Sequence, residues 1–355
     1  MKIRSIHIKN VKCFDDYELN LTDGKDILQM CSLVGTNGSG KSTILQAIVA
    51  GFTAFSKDYG GDALPIGAIR IDSDGEAYIR IELELSEEEK ILLNETGYNG
   101  LHEIILTKTE KNTFIYLPGD WDDDKAGNAV EEYQKFRQEF SKNNRAGTIM
   151  YFDAFRFLTA QNPAGPGIEN SLTNPKVDAL ESSVRKGGKI TSRYYNLKQW
   201  MVNLDYSILK NPTRKNQDML RHMKKALNAL CKPLIFECIR EDGMILMKDT
   251  ELNQTIEIDM LSDGFKSLFV IITEMIFRLS ATIPDDSDEV FYEREAVVLI
   301  DELDCHIHPK WQKNLVPALK KLFPNCQFII TTHSPYILGT LQDCEIRKLG
   351  GKSLE

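Results

Sequence analysis

The residues with the clearest chemistry form a glycine-rich run from Gly35 to Ser42, GTNGSGKS, which fits the spacing G-x-x-x-x-G-K-[ST]. Glycines let successive backbone N–H groups turn inward around a phosphate, and the N-terminus of a following helix adds partial positive charge there. Lys41 would reach the β- and γ-phosphates, and the Ser42 hydroxyl would ligate Mg²⁺. The full eight-residue match favours a nucleoside triphosphate site over a chance glycine-rich turn.

Such a loop needs a strand before it and a helix after it. Residues 27–34 have the apolar content of a short strand, and residues 43–50 have the 3.6-residue period of a buried helix. The sequence therefore predicts that ATP is bound by the loop and the first residues of this helix: Gly35, Thr36, Asn37, Gly38, Ser39, Gly40, Lys41, Ser42 and Thr43.

Two further apolar segments end in polar residues. Residues 296–300 and 326–330 are rich in β-branched residues, as buried parallel strands are. Asp301 and Glu302 follow the first segment, and a Thr-His-Ser sequence containing His333 follows the second. Because ligands bind at the carboxyl ends of parallel strands, these tips should lie beside the phosphate loop, where Asp301 and Ser42 would hold Mg²⁺.

Four segments, in chain order, resemble the head domain of ABC-type ATPases: the phosphate loop, 261–264 (LSDG), 298–304 (VLIDELD) and 332–334 (THS). The resemblance extends to SMC-like heads, to the overcoming-lysogenisation-defect group and to AAA_15-like and AAA_21-like ATPases. It covers both ends of the chain and leaves residues 60–255 to weaker analogy. It implies an α/β fold, namely an ABC-type ATPase head with a mostly parallel P-loop sheet, an antiparallel β lobe and an inserted basic helical arm.

The resemblance also implies catalytic roles. Glu302 would polarise the attacking water as a general base, and His333 would donate to the γ-phosphate as the switch histidine of this family. Lys41 completes the expected catalytic set. Asp304 fits the loop that communicates across the dimer in such ATPases.

The segment at 261–264 resembles the signature loop, in which Ser262 and Gly264 face the γ-phosphate bound by the opposite subunit. Asp263 stands where a second glycine is usual, and Phe265 stands where glutamine is usual. Because the loop acts in trans and the chain carries one head, the resemblance implies a head-to-tail homodimer with two ATP molecules at its interface.

Several other residues have two possible interpretations. Lys12 and Phe14 could pack against the nucleotide, or could be a solvated lysine and a core phenylalanine. Arg156 and Gln161 follow a buried strand, where a γ-phosphate-sensing residue can lie. The residues His306 and His308 have a metal-like H-x-H spacing, but the resembling loops do not generally use histidine as a ligand, so no zinc site is expected. Residues 120–124, rich in aspartate, are interpreted as a solvated loop.

The 355 residues fit one large α/β domain with insertions or two modest domains. The predicted division is a P-loop ATPase core at 1–60 and 255–355, a β-rich lobe with helices at 61–150, and a third part at 151–254. This third part contains a return strand, a basic helical insertion and a hairpin. Ser86 and the acids after it should start a helix, because negative charge is favoured at helix N-termini.

Charge is distributed unevenly along the chain. The formal net charge of −9 argues against nucleic acid as a general partner, yet the span Arg185–Lys225, hereafter the basic arm, has eleven lysines and arginines against two acids, Asp205 and Asp218. Nucleic acid could bind there through cations and stacking aromatics, or the arm could be a solvated helical structure whose aromatics are core. The residues in question are Arg185, Lys186, Lys189, Arg193, Lys198, Arg214, Lys215, Arg221, Lys224, Lys225, Tyr194, Tyr195, Trp200 and Tyr206.

Composition excludes other classes. Apolar residues at 42% and charged residues at 27% are typical of a soluble globular protein. No apolar run is long enough to span a membrane, and the first eight residues lack the apolar block of a signal peptide, so a cytoplasmic location is expected. The seven cysteines show neither C-x-x-C pairs nor metal-ligand spacing, which indicates free and mostly buried thiols.

The distance in sequence between the phosphate loop and the signature-like loop limits the possible classes of ATPase. By family resemblance, a transporter subunit would place its signature loop much closer to the phosphate loop than Ser262 is to Lys41. A full SMC protein would fill the gap with heptads, but no sustained heptad pattern is visible. Two hypotheses remain. The first is an ATPase of a prokaryotic antiphage system, similar to Septu-like and retron-associated subunits, that gates a separate nuclease or toxic effector. The second is a RecF-like repair clamp that binds DNA. No TOPRIM or HNH nuclease set is expected in the residues after His333, so catalysis on nucleic acid is expected to belong to a partner.

Overall fold

The computed structural model describes residues 1–56, 77–98, 103–108, 114–116, 126–143, 146–156, 158, 163, 165–167, 184–186, 189–191, 194, 197–284 and 287–350. The strands in this part of the chain are β1 (Lys2–Val11), β2 (Phe14–Asn20), β3 (Met30–Val34), β4 (Tyr78–Glu84), β5 (Glu103–Lys108), β6 (Phe114–Tyr116), β7 (Ile149–Phe152), β8 (Val184–Lys186), β9 (Lys189–Thr191), β10 (Leu234–Ile239), β11 (Ile245–Asp249), β12 (Gln254–Glu257), β13 (Ala296–Ile300), β14 (Cys326–Thr331) and β15 (Ile346–Lys348).

The same described residues form eight α-helices. They are α1 (Lys41–Ser56), α2 (Glu87–Thr96), α3 (Ala126–Lys142), α4 (Leu197–Lys210), α5 (Arg214–Leu230), α6 (Asp263–Ser280), α7 (Pro309–Leu322) and α8 (Pro335–Leu338). None of these helices is long and apolar enough to cross a membrane.

The central sheet contains five strands in the order β15-β3-β14-β13-β7, and every pair in it is parallel. The strands β13 and β14 are buried at every position, which agrees with their β-branched runs. All five strands share one direction, so the ends of β3, β13 and β14 meet at one edge. The predicted mostly parallel sheet is confirmed.

Two apolar clusters cover the two faces of this sheet. Alternate residues of β13 belong to different clusters, with Val298 and Ile300 in one and Val297 and Leu299 in the other. The first cluster is completed by α4 to α7, and the second by α1 and the antiparallel sheet. Because both faces are covered, the strands need apolar residues throughout rather than an alternating pattern.

The antiparallel sheet has the order β2-β1-β4-β5-β6. A two-residue loop, Lys12 and Cys13, joins β1 to β2. β1 lies within the predicted ATPase core and β4 within the predicted β lobe, yet they pair directly. The division of the chain into three parts therefore stays a prediction.

The helix predicted near Ser86 is α2, and its first turn carries a capping box. The backbone N–H of Ser86 donates to Glu89 Oε2 at 2.8 Å. The carboxylate of Glu89 also accepts from the N–H of Gly147 at 2.6 Å. Burial raises the pKa of Glu89, but the nearby amino terminus of Met1 and these hydrogen bonds outweigh burial, so the pKa lies below its usual value.

All seven cysteines lie in described residues and are free thiols. The expectation that most would be buried is wrong, since only Cys31, Cys231 and Cys326 are buried. Burial raises the pKa of the Cys31 and Cys326 thiols to about 12, so these two groups stay protonated at neutral pH.

Candidate functional site

The glycine-rich loop lies between the end of β3 at Val34 and the start of α1 at Lys41. Two of its glycines, Gly38 and Gly40, have φ values of 80° and 96°, in the left-handed region that side chains rarely adopt. At Gly40 a side chain is also excluded sterically, because a Cβ would lie 2.3 Å from the ring of Phe14. The glycine spacing of the motif thus has a direct structural reason.

A pocket of about 320 Å³ opens at this loop, at the carboxyl edge of the parallel sheet. It brings together the phosphate loop, the tip of β13 and the tip of β14. Its lining residues are Asn37, Gly38, Gly40, Lys41, Ser42, Thr43, Asp301, Glu302, Thr331 and His333.

The predicted ATP-binding residues outside this lining lie close to it. Gly35, Thr36 and Ser39 belong to the same loop, and Gly35 packs so closely on the C-terminal strand region that a Cβ would lie 2.5 Å from the carbonyl oxygen of Leu349. Ser39 Oγ is buried and has no hydrogen-bond partner among the residues that the structure describes. Direct contact of these three residues with a nucleotide stays a prediction.

Two predicted metal ligands are in direct contact. Ser42 Oγ donates to Asp301 Oδ1 at 3.0 Å, although the residues are far apart in the chain. Thr331 Oγ1 donates to the same carboxylate oxygen at 2.6 Å. Hydroxyl and carboxylate oxygens are ligands that Mg²⁺ prefers, so the paired side chains fit this ion. Sequence reasoning missed Thr331, whose position at the carboxyl end of β14 could have identified it.

The side chain of Lys41 is buried and lies inside the loop. Its Nζ donates to the carbonyl oxygens of Gly35 and Thr36, both at 2.9 Å. These bonds keep the ammonium group at the centre of the loop, on the side of the pocket. Contact of this ammonium group with phosphate stays a prediction.

Glu302 is exposed at the mouth of the pocket and has a φ of 48°. Its backbone N–H donates to Thr331 Oγ1 at 2.7 Å, so the same threonine holds both residues of the acidic pair. His333 is exposed on the adjacent tip, and its N–H donates to Asp304 Oδ1 at 3.2 Å. Glu302 and His333 therefore project from neighbouring strand ends into one pocket.

The predicted signature loop lies outside this pocket. Ser262 is exposed and is the N-cap of α6, where its Oγ accepts from the N–H of Phe265 at 3.4 Å. Gly264 is buried against the loop after β13, because a Cβ there would lie 2.1 Å from the carbonyl oxygen of His306. Their predicted role toward a second subunit remains untested.

Three residues with open alternatives have defined surroundings, and contact of Lys12 with a nucleotide stays a prediction. Phe14 is a buried side chain that stacks on Tyr17 with ring centroids 4.9 Å apart, and Lys12 Nζ donates to Gln46 Oε1 at 2.7 Å. Arg156 is only 5% exposed and is absent from the pocket lining, so γ-phosphate sensing by its side chain is not supported. The other candidate, Gln161, lies outside the described residues.

His308 serves as a helix cap. Its Nδ1 accepts from the N–H of Lys310 at 3.2 Å at the start of α7. His306 adopts a φ of 62° in the preceding turn. The aspartate-rich segment 120–124 lies outside the described residues.

Parts of the basic arm are unavailable to nucleic acid. Lys198 has a fully buried side chain that forms an ion pair with Asp259 at 2.7 Å, while Tyr194 and Trp200 are buried in the core. Burial lowers the pKa of Lys198, and Asp259 opposes this effect. For Tyr194 and Trp200 the structure therefore agrees with the alternative in which the aromatics are core, and Lys198 is neither solvated nor accessible to nucleic acid.

Other cations of the arm have partners or point to solvent. Arg214 and Arg221 both pair with Asp218, and Lys215 donates to the carbonyl oxygen of Ile283 at 2.6 Å. Lys225 is exposed. Lys224 lies over the ring of Phe236, and the aromatic residue Tyr206 is exposed. Arg185 and Lys186 lie on β8, and Lys189 lies on β9. Arg193 and Tyr195 lie outside the described residues.

Comparison with known proteins agrees with this architecture. Retron Ec83 probable ATPase from Escherichia coli is 25% identical over 394 aligned residues, which cover 98% of this chain and 71% of that protein. Septu protein PtuA from Bacillus thuringiensis is 23% identical and is matched over 98% of this chain and 76% of its own length.

A solved SMC head has the same fold. The structure described as the SmcHead bound to the C-winged helix domain of ScpA aligns over 99% of this chain and 98% of its own with a TM-score of 0.51, at 14% identity. The family AAA_15, described as AAA ATPase domain, matches residues 1–338. The chain therefore belongs to this AAA ATPase domain family and has the α/β fold of an SMC head.

Proposed function

We propose that the chain binds ATP with Mg²⁺ in the pocket between the phosphate loop and the strand tips, and hydrolyses it. The observation that supports this most directly is the cluster of Ser42, Asp301 and Thr331 beside Lys41 and Glu302. These groups come from three separate segments, and each has the chemical type that phosphoryl transfer to water requires.

Different residues of the chain bind the phosphates, hold Mg²⁺ and accept the proton of the attacking water. Lys41 binds the β- and γ-phosphates, and the backbone N–H groups of the loop hold the phosphate oxygens. Mg²⁺, bound by Ser42 and Asp301, would neutralise charge on the phosphates. Glu302 takes a proton from water as the water oxygen bonds to the γ-phosphorus and the bond to the β-phosphate oxygen breaks, so ADP leaves.

A second copy of the chain would complete the site. Ser262 is exposed at the N-terminus of an 18-residue helix, and it lies outside the pocket of its own subunit. Glu302 and His333 are exposed at the pocket mouth, where a second subunit could cover them. A two-fold axis would place each Ser262 at the partner's nucleotide and give two equivalent sites.

The hydrolysis proposal is tested with Glu302→Gln. This change removes the base and retains the shape, so we expect ATP binding to persist and hydrolysis to fall by about 10²- to 10⁴-fold. Binding would be measured by equilibrium dialysis and hydrolysis by phosphate release. Glu237→Gln, an exposed glutamate on β10, is the control and should hydrolyse ATP normally. Hydrolysis by Glu302→Gln at the wild-type rate would contradict the assignment.

The shared site is tested by mixing two inactive variants. Lys41→Ala destroys the phosphate side of a site and Ser262→Arg destroys the side that acts in trans. In a mixed dimer one of the two sites keeps both wild-type residues, so an equal mixture should regain about a quarter of the wild-type rate. A mixture as inactive as its components would contradict the head-to-tail arrangement.

The relatives support a setting in antiphage defence rather than the RecF-like alternative, since they are retron and Septu proteins. In that setting the ATPase would regulate a separate nuclease or toxic effector. The purified chain should then leave plasmid DNA, single-stranded DNA and tRNA intact in Mg²⁺. Cleavage that survives both Lys41→Ala and Glu302→Gln would instead indicate a nuclease site on this chain.

A further inference from the structure

Arg156 is a buried arginine that connects three parts of the chain. Its Nη1 donates to the carbonyl oxygens of Asp153 at 2.6 Å and Asp301 at 2.5 Å. Its Nη2 donates to the carbonyl oxygen of Glu302 at 2.9 Å, and its Nε donates to Ser267 Oγ at 3.0 Å. One guanidinium thus joins the end of β7, the acidic tip of β13 and helix α6.

These bonds hold the backbone of Glu302 in an uncommon conformation. A φ of 48° is rare for a side-chain-bearing residue, so surrounding contacts must stabilise it. Thr331 Oγ1 accepts from the N–H of Glu302, and Arg156 donates to its carbonyl oxygen. With both ends of the residue fixed, the direction of its side chain is set by the pair Thr331 and Arg156.

The same guanidinium fixes the start of α6. Ser267, its acceptor, is the fifth residue of this helix and is buried, while Ser262 caps the same helix at the surface. Gly264 packs directly on the carbonyl of His306, in the loop that follows Glu302. A shift of the exposed Ser262 end would therefore be transmitted to the backbone of Glu302 through a short, buried and polar connection.

We infer that Arg156 is a positioning residue that couples the start of α6 to the backbone of Glu302. This inference rests on the proposed function, in which Glu302 is the base and Ser262 contacts the partner's nucleotide. The planar guanidinium group has N–H donors in several directions and can therefore bond to all four acceptors at once. A lysine with one ammonium group could not make all four bonds. Arg156 acts through Glu302 and does not touch ATP.

The first test is the kinetic behaviour of Arg156→Lys. We expect KM for ATP to stay unchanged, because Arg156 does not line the pocket, and kcat to fall by about 10- to 100-fold through misplacement of Glu302. The matched control is Arg278→Lys, another arginine with little exposure, which pairs with Glu274 at the far end of α6. An unchanged kcat for Arg156→Lys, or an equal fall for Arg278→Lys, would overturn the inference.

A double-mutant cycle tests the connection itself. Ser267→Ala should lower kcat by about 3- to 10-fold, whereas Ser280→Ala, a buried serine at the other end of α6, should not change it. Combining Ser267→Ala with Arg156→Lys should cost no more than Arg156→Lys alone, because both remove the same bond. Additive losses would overturn the coupling. Ser267→Ala also keeps the inference testable if Arg156→Lys does not fold.

Hydrogen exchange separates this inference from the ATPase proposal. In nucleotide-free protein, Arg156→Lys should speed amide exchange in residues 301–306 and in residues 262–268 together, while residues 274–280 keep the wild-type rate. This readout needs no ATP hydrolysis, so it stands even if the wild-type chain proved inactive. Faster exchange in only one of the two segments, or in neither, would overturn the coupling.

Discussion

The phosphate pocket and the basic arm use charged residues in opposite ways. In the pocket, Lys41, Asp301 and Glu302 converge from different segments onto one space. In the arm, Lys198 is buried against Asp259, and Arg214 and Arg221 share Asp218. The pocket concentrates its charges toward a ligand, whereas many charges of the arm are neutralised within the chain.

This difference shows what a local excess of positive charge can mean. The spacing of the phosphate loop reflects backbone requirements, such as the left-handed φ of Gly38 and Gly40, and so it determines geometry. A count of lysines and arginines carries no such requirement. The acids that neutralise the arm include Asp259 and Asp288, which lie outside it in sequence.

The largest expected contrast is between two lysines. Lys41→Ala removes charged hydrogen bonds to phosphate, and we expect ATP affinity to fall by at least about 100-fold. Lys225→Ala removes an exposed lysine of the basic arm and should leave ATP affinity unchanged. Isothermal titration with ATP and Mg²⁺ measures both variants. A comparable loss for Lys225→Ala would remove the distinction between pocket and arm.

The next contrast concerns stability. Lys198→Met leaves Asp259 unpaired in a largely buried setting, so we expect the free energy of unfolding to fall by about 3 kcal/mol. Arg221→Met breaks a pair at the surface and should cost less than about 1 kcal/mol. Urea denaturation measures both.

A double variant sharpens the stability test. Lys198→Met combined with Asp259→Leu replaces the ion pair by apolar groups, and much of the lost stability should return. If the double variant were as unstable as the sum of its two single variants, the ion pair would not be the cause. Equal losses for Lys198→Met and Arg221→Met would show that burial does not distinguish the two pairs.

The arm's contact with the ATPase core should also respond to pH. His222 on α5 is buried and stacks on Tyr292 at 4.2 Å. Burial, and secondarily Lys225, lowers its pKa from 6.5 to about 4. The unfolded chain thus binds a proton at a pH where the folded chain does not. Between about pH 6.5 and pH 4, the free energy of unfolding should fall by up to ~3 kcal/mol.

His222→Phe is the matching variant, because it keeps an aromatic ring without the titrating group. Its free energy of unfolding should depend less on pH between 6.5 and 4 than that of the wild type, measured by urea titrations across this range. An identical pH dependence in both proteins would exclude His222 as its source.

The smallest expected effect concerns nucleic acid. Exposed cations of the arm, Lys210, Arg221 and Lys225, could contact phosphates. Replacing all three by glutamine should weaken binding a few-fold and reduce the slope of log affinity against log salt by about 0.9 per lost phosphate contact. The control is Lys90→Gln, an exposed lysine of α2. Affinity and salt slope equal to wild type would assign these residues to solvent or to a protein partner.

The sequence allowed much of the fold and pocket to be predicted, because the relevant signals are local. Apolar runs and the glycine spacing located β3, β13 and β14, and parallel strand direction placed Lys41 and Asp301 at one edge. Arg156 and Thr331 were harder to assign. A position at a strand end can mark such residues as candidates, but it does not reveal their hydrogen-bond partners, which are the carbonyl and carboxylate groups of residues distant in sequence.

The basic arm also contains a feature that could not be predicted from the sequence, namely the burial of Lys198. Lysine side chains are usually solvated, so the sequence gives no sign that Lys198 is buried. Its burial against Asp259 results from the packing of α4 on the apolar core. The apolar residues of α5 recur at helical spacing, and the buried face of this helix includes Met223 and Leu227. Periodicity thus predicts which face of a helix is buried, but it does not identify the partner of a buried charge.

One measurement tests the shared nucleotide site most directly: the solution mass of Glu302→Gln by analytical ultracentrifugation, with and without ATP and Mg²⁺. We expect twice the 40.3 kDa chain mass with ATP, because the variant binds ATP without hydrolysing it. Adding Ser262→Arg to this variant should restore the single-chain mass. A single-chain mass at saturating ATP, or a dimer that Ser262→Arg leaves intact, would contradict the shared site.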